Sequence, residues 1–138
     1  GAAIVLPYVN MYANNPAIPV SQTVAMLNLD MMGRANGKVD VSGLERPAIL
    51  DRLMRAAAEG RGLEIRREGP GAGRSDDSNF LDRRIPAINF FTGFHNDYHA
   101  PGDDWQKIDA VGTSRVAMLA LEFAARIAAE RERPNFAD

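Results

Sequence analysis

Cysteine is absent from this chain, which excludes a disulfide framework and a thiolate site and leaves any metal to histidine and carboxylate. The redox compartment is not fixed by that absence. Histidine is scarce too: His95 and His99 are the only two, and nothing earlier in the sequence supplies an imidazole. No glutamate precedes Glu45. A dominant charge sign is also lacking, with 16 basic against 18 acidic residues, a net charge of -2, and the basic residues scattered. Such a balance produces no broad field to steer a polyanion, so nucleic acid or an acidic membrane surface is a poor partner. No apolar run approaches the roughly 20 residues that cross a bilayer, so no membrane segment is expected. The sequence opens on Gly1 with neither a methionine nor signal-like charged and apolar regions, and the expectation is an excised piece.

What remains is an ordinary globular mixture, 46% apolar and 25% charged over 138 residues, which fits one domain spanning 1–138. Residues 1–15 read as a short helix or ragged start, closed by Asn14-Asn15-Pro16, where the residue before proline is pushed out of helix. Thr23 to Leu29 is a continuous apolar run of strand length, predicting a strand covered on both faces with Asp30 at its carboxyl end. Gly33 to Gly37 is turn chemistry, and Lys38 to Ser42 alternates like a short, half-exposed strand. From Pro47 onward Leu50, Leu53, Met54, Ala57 and Ala58 repeat at helical spacing until Gly60 and Gly62 stop the helix. Leu63 to Arg67 alternates again, a strand with one buried face. After the flexible Gly69 to Gly73 loop, Ser75 is expected to cap a short helix ending near Arg84, with Asp76 and Asp77 in its first turn.

Ile85 to Phe91 is the second buried strand, with Pro86 at its start where a missing N–H does least harm. A loop from Gly93 to Asp109 follows. Asp109 or Thr113 then caps a final helix whose stripe of Val116, Leu119, Ala120, Phe123, Ile127 and Ala128 faces inward, while Arg126, Glu130 and Arg131 lie nearer solvent. The tail, 134–138, is expected to fray. Strands alternating with helices predict an α/β sheet with helices packed on it.

In an open α/β sheet, ligands collect where strands end and loops begin. Asn28-Leu29-Asp30-Met31-Met32-Gly33-Arg34 and Asn96-Asp97-Tyr98-His99-Ala100-Pro101-Gly102-Asp103 each place a metal-capable side chain just beyond an apolar run. Asp30 and His99 are therefore read as two ligands of one metal site, of which this chain carries part. Singly they say little, because a carboxylate at a strand end is often a cap and a lone loop histidine is usually solvated. His95 and His99 would share a face on a helix, but Gly93, Pro101 and Gly102 make this region a loop, so spacing alone does not pair them. Asp97, Asp103 and Asp104 read as turn formers, with Asp103 a candidate acceptor for an imidazole N–H.

Taken with two further stretches, Ser75-Asp76-Asp77-Ser78-Asn79-Phe80 and Ile85-Pro86-Ala87-Ile88, these segments give the chain a likeness. From about Asn15 to Ala129 it resembles the carboxyl-terminal half of the M28 family of zinc-dependent exopeptidases, the aminopeptidase group related to glutamate carboxypeptidase. The resemblance implies a partial three-layer α/β/α sandwich of the zinc-exopeptidase (phosphorylase/hydrolase-like) type, with a mixed sheet and helices on its faces. It implies two zinc ions at the carboxyl end of that sheet, Asp30 on one and His99 on the other, and a peptide substrate. Tyr98 would aim its hydroxyl at the scissile carbonyl; the competing reading is a packed loop aromatic. Export to the periplasm or outside the cell is the family-based expectation.

The departures are as informative. The family's first histidine ligand, its bridging aspartate and its Glu-Glu pair lie upstream of the Asn-Leu-Asp segment, and nothing between Gly1 and Asn28 matches them. Asp77 stands where the family's Ser-Asp-His motif has histidine. The expectation is that this piece alone is inactive and binds metal weakly at most, and that its uncovered sheet edge or apolar face makes it a homo-oligomer. The alternative is a non-catalytic interaction domain on a degenerate peptidase scaffold.

Overall fold

Two apolar strands lying side by side decide the architecture. The computed structural model describes residues 19–45, 47–67 and 75–134. The expected ragged start, the loop expected from Gly69 to Gly73 and most of the tail expected to fray lie outside them. Strand β1 is Met26–Asp30, β2 Lys38–Ser42, β3 Glu64–Arg66 and β4 Ala87–Phe91; helix α1 is Ile49–Ala58, α2 the single turn Ser78–Leu81, and α3 Ala110–Ala129. The sheet order is β1-β4-β2-β3. β1 runs parallel to β4, β4 antiparallel to β2, and β2 parallel to β3, so the sheet is mixed.

Strand parity separates the two faces. Ile88 and Phe90 of β4 join Val39 and Val41 of β2 in the main core, where α1 contributes Leu50, Leu53, Met54 and Ala57 and α3 contributes Val116, Leu119, Phe123 and Ile127. The Phe90 and Phe123 rings meet edge to face with centroids 6.4 Å apart. Each large apolar side chain buried this fully stabilises the fold by roughly 1.5–3 kcal/mol. On the other face Ala87 packs with Phe80 and Ile85, so α2 is the thin second helical layer. Asn28 and Asn89, opposite each other in register, bond side chain to side chain at 3.0 Å within the buried sheet.

Four expectations need correction. β1 begins at Met26 and is not covered on both faces: among the described residues it is an edge of the sheet, and Leu29 is exposed, although Asp30 ends it as expected. β2 is central and buried instead of half-exposed, because Asp40 is neutralised across the sheet by Arg66, whose Nε lies 2.8 Å from Asp40 Oδ1. Ser75 does not cap α2; Asp77 occupies the N-cap position, and the Ser75 N–H donates to Asp77 Oδ1 at 3.0 Å. Ala128 is exposed, outside the buried stripe of α3.

Of the two candidate caps for α3, Asp109 is the one used. Its Oδ1 accepts from the Gly112 N–H and its Oδ2 from the Asn36 N–H, both at 2.9 Å. These backbone donors hold the Asp109 carboxyl below its ordinary value of 3.8. The same carboxylate thus starts the last helix and anchors the turn after β1.

Candidate functional site

Because β1 and β4 are parallel and Asp30 pairs with Phe91, the loops that follow them leave the same end of the sheet. Thr92, buried, joins these loops: its hydroxyl donates to the Met31 carbonyl and accepts the Arg34 N–H at 3.3 Å. Asp30 is exposed, and its Oδ2 accepts from the Ser75 hydroxyl at 3.0 Å. Asp76 lies near it. Burial first, then the negative charges of Asp30 and Asp77, holds the Asp76 carboxyl above its ordinary value of 3.8.

The loop after β4 is a run of turns, with Tyr98 N–H bonded to the His95 carbonyl at 3.0 Å and Ala100 N–H to the Asp97 carbonyl at 2.8 Å. Aromatic rings line up along it: Phe91 against Phe94, Phe94 against Tyr98, and Tyr98 against His99 with centroids 4.1 Å apart. Tyr98 is thus packed on both sides yet remains 43% exposed. His99 is exposed and adopts φ 53, and Met31, next to Asp30, adopts φ 55. Neither is glycine, so each holds a left-handed conformation that costs of order 1–3 kcal/mol and is kept only where surrounding contacts impose it.

The imidazole near Asp103 is that of His95, whose Nε2 lies 3.8 Å from Asp103 Oδ2, beyond hydrogen-bond distance. The other ring nitrogen of His95 is buried with no hydrogen-bond partner among the described residues. Sequence reasoning overlooked Arg34. Its guanidinium reaches Asp97 Oδ2 at 3.3 Å and Asp103 Oδ1 at 2.6 Å, while Lys107 Nζ takes Asp97 Oδ1 at 2.6 Å. The bond from Lys107 is the larger cause, and Arg34 a smaller one, of a carboxyl at Asp97 held below 3.8. An arginine beside Gly33 and an acidic residue on each side of Tyr98-His99 were the available signal.

The sequence profile of Peptidase family M28 matches residues 8–124. This chain belongs to peptidase family M28. Solved structures agree on the fold. The M28 chain superposes on an aminopeptidase, LapA, from Legionella pneumophila with TM-score 0.71 and 21% identity, covering 92% of itself and 36% of that chain. For BSAP, a zinc aminopeptidase from Bacillus subtilis, the figures are 0.72, 20%, 95% and 36%. For an aminopeptidase from Aneurinibacillus sp. strain AM-1 they are 0.70, 26%, 95% and 32%. The chain therefore spans about a third of the length of the structures it matches. No curated protein sequence matches it.

Zinc, which such relatives imply, is tested by the donors present. An exposed carboxylate fixed by Ser75 and an exposed imidazole fit the metal in kind, since carboxylate oxygen and imidazole nitrogen are ordinary zinc ligands. They fit as members of a larger set: among the described residues no three or more His, Asp or Glu side chains are grouped to hold a metal ion. No helix among those residues is long and apolar enough to cross a membrane.

Proposed function

We propose that this chain is a carboxyl-terminal part of a zinc-dependent aminopeptidase, which hydrolyses the peptide bond next to a free amino terminus, with Asp30 on one of two zinc ions and His99 on the other. The parallel pairing of β1 with β4 carries the reading, because it delivers Asp30 and the His99 loop to one end of the sheet, where α/β proteins bind ligands. Membership of family M28 supplies the reaction class. When bound, two zinc ions activate water and polarise the peptide carbonyl. The chain's own residues do the rest: Ser75 orients the Asp30 carboxylate, the Tyr98 ring steadies His99, and the Tyr98 hydroxyl donates to the substrate carbonyl as charge develops on it.

Two ligands on separate ions cannot complete tetrahedral sites, so the other donors come from outside the described residues. The 138-residue chain is accordingly expected to bind zinc weakly and to show no aminoacyl-nitroanilide turnover, whereas the protein with any upstream sequence its gene encodes turns over. Zinc titration and a turnover assay on both check this, and measurable turnover by the isolated chain would refute it. One observation favours the alternative, a non-catalytic interaction domain. Asp77, where family members have a histidine, is fully buried and bonded to the Ser75 backbone, so it presents nothing to a substrate. An upstream reading frame without a His-x-Asp and a Glu-Glu pair would decide for that alternative.

The isolated chain also exposes apolar surface. Val111, Met118 and Leu121 lie along one side of α3, opposite its buried stripe, and all three are at least half exposed. A helix that is apolar on two sides is normally covered on both. Light scattering is expected to give a mass near twice 15.1 kDa, and a monomer at every concentration tested would contradict the pairing of two copies.

A further inference from the structure

The turn that carries Tyr98 and His99 is held by local backbone bonds, none of which belongs to the sheet. With His99 at φ 53, that turn needs restraint from elsewhere. Lys107 supplies some, but it sits only 10 residues from its partner Asp97. Arg34 reaches across from the other strand's loop, with sequence separations of 63 and 69 residues to Asp97 and Asp103. Its side chain is 18% exposed, and the bond to Asp97 is part-buried, so that bond is better shielded from water and salt than an ordinary surface pair. Asp97 and Asp103 flank Tyr98 and His99 on either side, and both oxygens of Asp97 are engaged.

We propose that Arg34 is a positioning residue: by tying both ends of the Tyr98-His99 turn to the loop that follows Asp30, its guanidinium sets the separation of the two metal-binding side chains. The part of this that concerns metal rests on the zinc reading above; the tie between the loops does not. Both bonds leave one terminal nitrogen, Nη2, and the strongly hydrated ammonium of a lysine, on its flexible stem, reproduces them only in part. Partners that orient a metal ligand typically contribute 10–100-fold to affinity, and Arg34 acts on His99 through the turn in the same way.

The experiment compares the full chain with Arg34→Met, Arg34→Lys and Asp103→Asn by amide hydrogen exchange and by zinc titration followed at the His99 imidazole resonances. Expected for Arg34→Met is exchange at Tyr98 and Ala100 faster by about tenfold or more and zinc affinity at His99 weaker by about tenfold or more, with Phe90 exchange unchanged. Arg34→Lys should recover only part of each. Asp103→Asn, at an exposed side chain, should move both in the same direction and covers the case in which Arg34→Met does not fold. Unchanged exchange at Tyr98 and Ala100 in a folded Arg34→Met or in Asp103→Asn overturns the proposal. If the imidazole of the unaltered chain ignores zinc, exchange at Tyr98 and Ala100 alone decides the role of Arg34.

Discussion

Gly43→Ala is expected to lower the stability of this chain by about 2–5 kcal/mol, while Gly37→Ala lowers it by only about 1–2 kcal/mol. Both glycines have positive φ, +86 at Gly43 and +79 at Gly37, so an added Cβ meets the same backbone penalty at each. Their surroundings differ. A Cβ at Gly37 has nothing within 4 Å, whereas at Gly43 it would stand 2.1 Å from the Ala87 carbonyl oxygen and 3.3 Å from Ile88 Cα. That oxygen belongs to β4, the central strand, and cannot retreat like the end of a flexible side chain. Either β2 moves away from β4, loosening the pairing of Ser42 with Asn89, or the carbonyl tilts out of the sheet. Against a total stability of about 5–15 kcal/mol for a domain, such a loss leaves little margin. Urea unfolding followed by circular dichroism measures both variants. Equal losses would mean that the left-handed conformation alone, and not the close approach of the strands, demands glycine at 43.

That crossing of β2 and β4 was not legible in the sequence, and the reason is general. Periodicity reports what one segment does with its own two faces; it carries no information about which strand lies beside it. Ile85 to Phe91 announced itself because a central strand covered on both sides is apolar throughout, and every residue of β4 is buried. The equally apolar run before Asp30 forms an edge among the described strands, so the same signal came with a different environment. Asp40 misled in the opposite sense. A charged residue in an alternating segment scores as solvent-facing, yet its pairing with Arg66 across the sheet buries it.

The candidate site divides in the same way. That Asp30 and the His99 loop each lie just beyond a strand followed from the apolar runs and the rule that ligands gather at the carboxyl ends of strands, whereas the parallel pairing that brings both to one end of the sheet did not. The ties between the loops did not follow. Arg34 meets Asp97 and Asp103 over separations of more than 60 residues, and Ser75 turns its hydroxyl to Asp30 from 45 residues away, leaving its expected capping role. No local pattern encodes such contacts. The exposed side of α3 is a different case: Val111, Met118 and Leu121 are spaced for one helical face, and a second stripe could have been read beside the first.

His99→Asn is expected to separate function from stability, because the two should move in opposite directions. Histidine at φ 53 pays for a left-handed conformation that asparagine tolerates better, so thermal melting of this chain should stay unchanged or rise slightly. The imidazole is nevertheless lost. Under the two-zinc reading, the protein with a complete donor set should then fall from two bound zinc ions to one and lose more peptidase activity than the roughly 10–100-fold that follows removal of a mere partner of a ligand. Asp30→Asn provides the matching case on the other ion: it keeps the shape and an oxygen able to accept from Ser75 but removes the charge. Activity lost with stability kept is the mark of a residue retained for its chemistry, in line with the usual trade between a strained site and a stable fold. If His99→Asn instead melts early and leaves zinc content intact, the ring serves packing against Tyr98, and His99 is no ligand.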